Sequence, residues 1–209
     1  MARSAHQEGN TREKIARAAG KLFAQRGFEA VSIRDICREA GIREGTVYYH
    51  YTNKQAILDF LMAEIDQLIE EKRRAFDQAF LLAKEVSVPE MQMVAVHLLR
   101  DYLLHPRVHP VIQMLSLERR SNEEAEQRYR RIVFELPLHQ QEKVFRQMME
   151  RGMVISSDPA ALARLYYGVI YGAYARFCQG ETPREEDIAA ACQCILEDMA
   201  VFCQLTFPR

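Results

Sequence analysis

Apolar residues in this chain recur three and four positions apart almost from end to end, and stretches that alternate apolar with polar are nearly absent. A half-buried strand needs a period of two, whereas this pattern puts one stripe on each helix. The periodicity therefore confines the chain to an all-α fold. Gly27, Gly41, "HPRVHP" and "SSDP" punctuate it. A first helix is expected over about residues 11–26, with Asn10 and Glu13 as a capping box, after a loose arm over residues 1–9. A short second helix comes after the cap Ser32, with Asp35 three residues on and Gly41 as its stop. A third begins near Arg43, and a long fourth runs from the cap Thr52 to about Lys84. Further helices are expected over roughly 89–104, 108–120, 123–151, 159–179 and 184–205, with Pro137 kinking or breaking the third of these.

Charge is uneven along the chain. Residues 1–54 carry ten Lys and Arg against six Asp and Glu, and the remainder carries 18 against 23, so a net charge of −1 hides a basic front on an acidic body. A basic front favours contact with a polyanion. The five cysteines form no Cys-x-x-Cys pair, the polar start "MARSAHQEGN" has no apolar core of a signal peptide, and no uninterrupted apolar run approaches a membrane span. Free thiols in a reducing cytoplasm are expected, without a membrane partner.

Two short helices joined by a turn at Gly41-Ile42 form a helix-turn-helix signature, whose second helix enters the major groove. That second helix carries "GTVYYHY", residues 45–51. At 100° per residue, Val47 and Tyr51 share one face and should pack on the stripe of Ile33, Ile36 and Cys37. Gly45, Thr46 and Tyr49 point the other way, with Tyr48 and His50 on the flanks. A glycine there admits close backbone approach, a threonine suits base edges, and phenol and imidazole suit phosphates on the groove walls.

The run "GIREGTVYYHYTNKQAIL", with "TREKIARAAGKLFAQRGFEAVSIRDICREAG" before it, resembles the DNA-binding head of TetR-family transcriptional regulators. The resemblance covers about residues 11–58. It implies a helix-turn-helix domain over 10–55 and a helical regulatory and dimerisation domain over 56–209. It also implies a dimer that grips a palindromic double-stranded operator and is released by a small-molecule effector. Thr46, Tyr48, Tyr49 and His50 fall on the family's recognition-helix contact positions. Lys54 matches a phosphate-binding lysine, and Arg34 lies where some members read a base. Arg43 departs from the small polar residue usual there, and can add a guanine or phosphate contact. Glu44 can accept from cytosine or face solvent.

In the body, Ala161, Leu165, Gly168, Gly172 and Ala175 share a face of small residues that lets helices approach. The last helix is also small and apolar along a broad face that includes Ile195 and Met199. The resemblance implies dimerisation through these two helices. The opposite face carries Tyr166, Ile170, Tyr174 and Phe177. With Tyr102, Met114 and Phe134 they are candidates for an effector pocket suited to a largely hydrophobic ligand, though each also suits plain core. His105 and His109 are four apart, but flanking prolines and the lack of a completing Cys or carboxylate argue against a metal site. Without a phosphate loop, zinc motif or nucleophile elbow, an enzyme is not expected, nor a cofactor. A thiol-based redox regulator and a regulator answering to a protein partner remain as alternatives.

Overall fold

The computed structural model describes residues 2–82, 85–180 and 182–208. Its described residues are helices joined by short turns. In order these are α1 (Ala2–Arg26), α2 (Ile33–Ala40), α3 (Glu44–His50), α4 (Lys54–Leu82), α5 (Val88–Leu98), α6 (His109–Glu118), α7 (Glu123–Arg130), α8 (Leu136–Glu150), α9 (Pro159–Phe177) and α10 (Glu185–Thr206). Wider π turns, Leu99–Leu103 and Arg131–Glu135, extend α5 and α7. The chain divides into two compact units. The first holds residues 1–71 and 106–127, the second 72–105 and 128–209, so the division falls inside α4, in the turn before α6 and inside α7.

Local chemistry sets most helix ends. The Ser32 hydroxyl accepts from the Asp35 N–H at 3.2 Å, and the Asp35 carboxylate accepts from the Ser32 N–H at 3.0 Å, closing the expected capping box. Gly41 leaves α2 in the left-handed conformation at φ 64, and Gly27 does the same after α1 at φ 78. Two expectations need correction. Helix α1 starts at Ala2 and runs through Asn10, so Asn10 and Glu13 are not its cap and residues 2–9 continue the helix. The cap of α4 is Asn53, whose side chain accepts from the Ala56 N–H at 2.8 Å, and not Thr52. The expected end of α4 at Lys84 lies outside the described residues.

The first unit buries Ile15, Ala19 and Phe23 of α1, Ile36 and Cys37 of α2, Val47 and Tyr51 from the α3 segment, and Ile57 of α4. Helix α6 belongs to this unit because Val111, Met114 and Leu115 are buried where α6 packs along α1. In the second unit α9 and α10 pack on each other, α8 packs on α9, and α10 on α5. Helix α10 is apolar enough over 22 residues to pass for a membrane span by length and composition. Its buried side, Ala191, Ile195, Met199, Phe202 and Cys203, accounts for part of that character.

The break at Pro137 is more orderly than a kink. The Leu136 N–H reaches back five residues to the Arg131 carbonyl. Pro137 has no N–H to give, so the Ile132 and Val133 carbonyls lose their helical donors. Tyr102 donates its hydroxyl to Ile132 at 2.6 Å, and the Tyr167 hydroxyl donates to Val133. Burial with satisfied partners makes this proline tolerable.

Candidate functional site

Helix α3 is seven residues long and holds its place by one side. Val47 is fully buried and Tyr51 nearly so. The Tyr51 hydroxyl donates to the Arg12 carbonyl at 3.1 Å, and burial pushes its phenol up to about 12, so it stays neutral. The opposite side is open: Tyr48 is 53% exposed and Tyr49 72%. Gly45 is exposed, and a Cβ placed on it would meet nothing within 4 Å. Its own fold therefore does not require glycine there, although glycine weakens a helix by about 0.5–1 kcal/mol relative to alanine. Thr46 and His50 are half-buried at the edges of this surface, and Arg43 stands exposed at the helix start.

Arg34 and Glu44 face each other. The guanidinium Nε lies 3.0 Å from the carboxylate across the gap between α2 and α3, with both groups largely in solvent. Such an exposed pair adds about 0–1 kcal/mol at most, and a phosphate or base can replace the carboxylate at little cost. Lys54 has a task the sequence did not reveal. Its ammonium donates to the Phe28 carbonyl at 2.7 Å and the Glu29 carbonyl at 3.3 Å, and lies 4.2 Å from the centre of the Phe28 ring. On the other side of that turn, Glu118 of α6 accepts from the Phe28 N–H and, at 3.4 Å, from the Glu29 N–H. The turn between α1 and α2 is thus gripped by α4 through its carbonyls and by α6 through its amides. Nothing in the spacing of Glu118, ninety residues away, could have pointed to it.

In the second unit a cavity of about 280 Å³ lies among α4, α5, α8 and α9, and of the seven candidate pocket residues only Tyr166 lines it. Tyr102 is committed to the Ile132 carbonyl. Ile170 and Tyr174 are core. Phe134 packs edge-on between Tyr129 and Tyr171, whose hydroxyls lie 3.2 Å apart. Phe177 lies under the Arg176 guanidinium, and Met114 is buried in the first unit. Helical phase found the buried face of α9, but Tyr102 and Phe134 lie within the two π turns, which sequence periodicity does not show.

The candidate dimer residues divide. Leu165 is 61% exposed, Gly168 and Gly172 are exposed with open space where a Cβ would be, and Ala161 and Ala175 are half-buried beside them. Ile195 and Met199 are fully buried within the chain, so they are core and not interface; the large apolar residues that α10 exposes are Val201 and Leu205. The cysteines give little support to a redox switch. Burial pushes the Cys178 and Cys203 thiols up to about 11, and burial followed by nearby carboxylates raises Cys37 and Cys194, which disfavours the reactive thiolate.

Comparison with known proteins places this geometry. Residues 15–60 match the bacterial regulatory proteins, tetR family. The HTH-type transcriptional repressor KstR2 of Mycobacterium tuberculosis is 37% identical over 62 residues, which is 30% of this chain; the chain thus spans about a third (31%) of that relative's length. Solved structures agree over nearly the whole fold. A regulator of Mesorhizobium loti MAFF303099 assigned to the TetR family superposes with a TM-score of 0.70 at 18% identity, covering 96% of this chain and 98% of that one. The SmeT–triclosan complex gives 0.66 at 18% identity, covering 95% and 92%. At such identity these two show the fold alone. With the turn at Gly41 and the open face of α3 in their expected places, residues 15–60 form a DNA-binding head of the tetR family of bacterial regulatory proteins, on a chain that shares its overall fold with the solved regulators.

Proposed function

We propose that this protein is a dimeric transcriptional repressor that binds a palindromic operator through α3 and is released by a small, largely hydrophobic effector. The observation that carries the reading is the open face of α3. A glycine and two exposed tyrosines occupy the side of α3 away from buried Val47, on the second helix of a helix-turn-helix. Gly45, Thr46 and Tyr49 approach base edges, Tyr48 and His50 the groove walls, and Arg34 and Arg43 base or phosphate. Lys54 keeps a third N–H for phosphate beyond its two bonds to the turn. Two such heads about 34–36 Å apart, or a multiple of that, read two half-sites.

Dimerisation through the outer faces of α9 and α10 is supported by exposed Leu165, Val201 and Leu205, and by two glycines with no Cβ-filling neighbour. SmeT was crystallised with triclosan, and a comparable effector for this chain would act by binding one conformation of the second unit better than another. Because α4 contributes residues to both units, it is one direct covalent route for that preference. A coupling of about 1–3 kcal/mol is the usual size of such an effect. The protein would act in the cytoplasm, where the DNA is. The test is a mobility-shift assay with the full chain on DNA upstream of its own gene. Retardation of a palindrome there is expected, and failure to bind any neighbouring palindrome would count decisively against the proposal.

A further inference from the structure

The cavity in the second unit contains a polar group that the fold does not use. Its walls are mainly aromatic and aliphatic, with Phe76, Phe80, Met91, Phe145 and Tyr166 among them. Into this lining α8 brings Gln141, at the head of the stripe continued by Val144, Phe145 and Met148. Gln141 is only 5% exposed, and its side-chain amide has no hydrogen-bond partner among the described residues. No fully sealed side-chain nitrogen or oxygen lacks a partner among those residues, so this amide opens onto space instead of being packed against apolar atoms. An apolar residue of similar size would fill the α8 stripe without leaving donors and acceptors unmet.

The charge of the lining also discriminates. Among the described residues its charged members are Glu85 and Glu90, and none of its described lining residues is Lys, Arg or His. The Glu90 carboxylate accepts from the Ser87 N–H and hydroxyl, each at 2.7 Å, and these bonds hold its carboxyl below the usual range. It therefore stays ionised near neutrality. Arg151 lies near the cavity but is engaged with Phe80, 5.0 Å from its ring centre and 3.3 Å from its carbonyl. An anion entering would meet negative charge, with no counter-ion among the described lining residues. The volume, about 280 Å³, is at the small end for ligand sites.

We infer that this cavity binds an uncharged, ring-sized apolar molecule bearing one hydroxyl, carbonyl or amide group, which pairs with Gln141. The inference deepens the regulator proposed above by naming its effector class, and rests on that reading for its biological consequence. Binding itself can be measured without DNA. Titration of the full-length protein with 1-naphthol, 1-methylnaphthalene and 1-naphthoate, monitored by calorimetry, supplies the test. The naphthol should bind about tenfold more tightly than the methyl compound, the size of one net hydrogen bond, and the carboxylate most weakly. Gln141→Leu should bring naphthol and methylnaphthalene to equal affinity. Should that variant fail to fold by circular dichroism, the wild-type side-chain amide resonances of Gln141 serve instead, and should shift with naphthol but not with methylnaphthalene. Three results would overturn the inference: no binding of any probe up to its solubility, equal affinity for naphthol and methylnaphthalene in the wild type, or tightest binding of naphthoate. A mobility shift on the same samples keeps the two ideas separate. Loss of operator binding would remove the regulator and leave a naphthol result standing, and equal probe affinities would remove the cavity's preference and leave the regulator.

Discussion

Helices α3 and α9 both mix glycine with tyrosine, and they dispose of them in opposite ways. In α3, Tyr48 and Tyr49 stand in solvent; in α9, Tyr166, Tyr167 and Tyr174 are buried. The buried phenols have work within the fold. Tyr167 serves the Val133 carbonyl that Pro137 leaves without a donor, and Tyr166 donates to the Met91 carbonyl at 3.4 Å. The glycines, by contrast, behave alike. Gly45, Gly168 and Gly172 each stand where a Cβ would meet nothing. Tyrosine density alone thus does not mark a binding surface. An exposed tyrosine beside a glycine with nothing to avoid is the more telling pair.

The contrast breaks most visibly if the α3 aromatics turn out to be structural. Tyr49→Ala combined with His50→Ala should weaken operator binding about a hundredfold, since each groove contact is worth about 1–3 kcal/mol. Fluorescence anisotropy on the operator measures this. Urea unfolding of the same variant should differ from wild type by no more than about 0.5 kcal/mol, as for other surface changes. Large destabilisation with operator binding intact would assign these residues to the core. The buried counterpart should behave the other way round. Tyr167→Phe removes one oxygen and leaves the Val133 carbonyl without its donor, and should cost about 1–3 kcal/mol of stability. Its expected effect on DNA contact is nil, because α3 is untouched.

How far the sequence could go is visible in these same residues. Ser32, Asp35 and Gly41 announced α2 because a cap and a left-handed stop act within a few positions of the chain. Val47 and Tyr51 were assigned to the core of α3 by helical phase alone, and they are there. Pro137 announced that carbonyls would be orphaned, but not that Tyr102 and Tyr167 would answer them, because those donors come from distant segments. Phase also failed where a helix is wider than α. Tyr102 and Phe134 both lie within π turns, where an α-helical wheel does not place a side chain. Ile195 and Met199 lie on the apolar side of α10, and apolar character by itself does not distinguish a chain's own core from a partner's surface.

The glycines give a smaller test of the same comparison. Gly45→Ala and Gly172→Ala should each favour their helix by about 0.5–1 kcal/mol, because alanine loses less backbone freedom and meets no neighbour. The first should weaken operator binding without altering assembly. The second should weaken self-association, read by sedimentation equilibrium, with operator half-site contacts unaltered. If either alanine stabilises its helix and leaves partner binding unchanged, the open space above that glycine is not an approach route.

The smallest effect concerns charge, and again sets an open group in the head against a tethered one in the body. Glu44 faces Arg34 in solvent, so Glu44→Gln should change stability by no more than a few tenths of a kcal/mol. Asp77 of α4 is tied down within the second unit. Partial burial raises its carboxyl, but hydrogen bonds from Lys143 at 2.9 Å and Gln140 at 2.8 Å, with the Lys143 and Arg73 charges, leave it below its ordinary value of 3.8. A depressed folded-state pKa means the unfolded chain takes up the proton first. The stabilisation from Asp77 is therefore fully present above about pH 5, begins to fade near pH 4, and is gone once the pH falls below the folded value. Urea midpoints of wild type and Asp77→Asn, taken from pH 6 downward, should converge over that acid window. The Glu44→Gln protein should instead track wild type throughout; a midpoint that separates from wild type only at neutral pH would show that the exposed pair in the head holds structure after all.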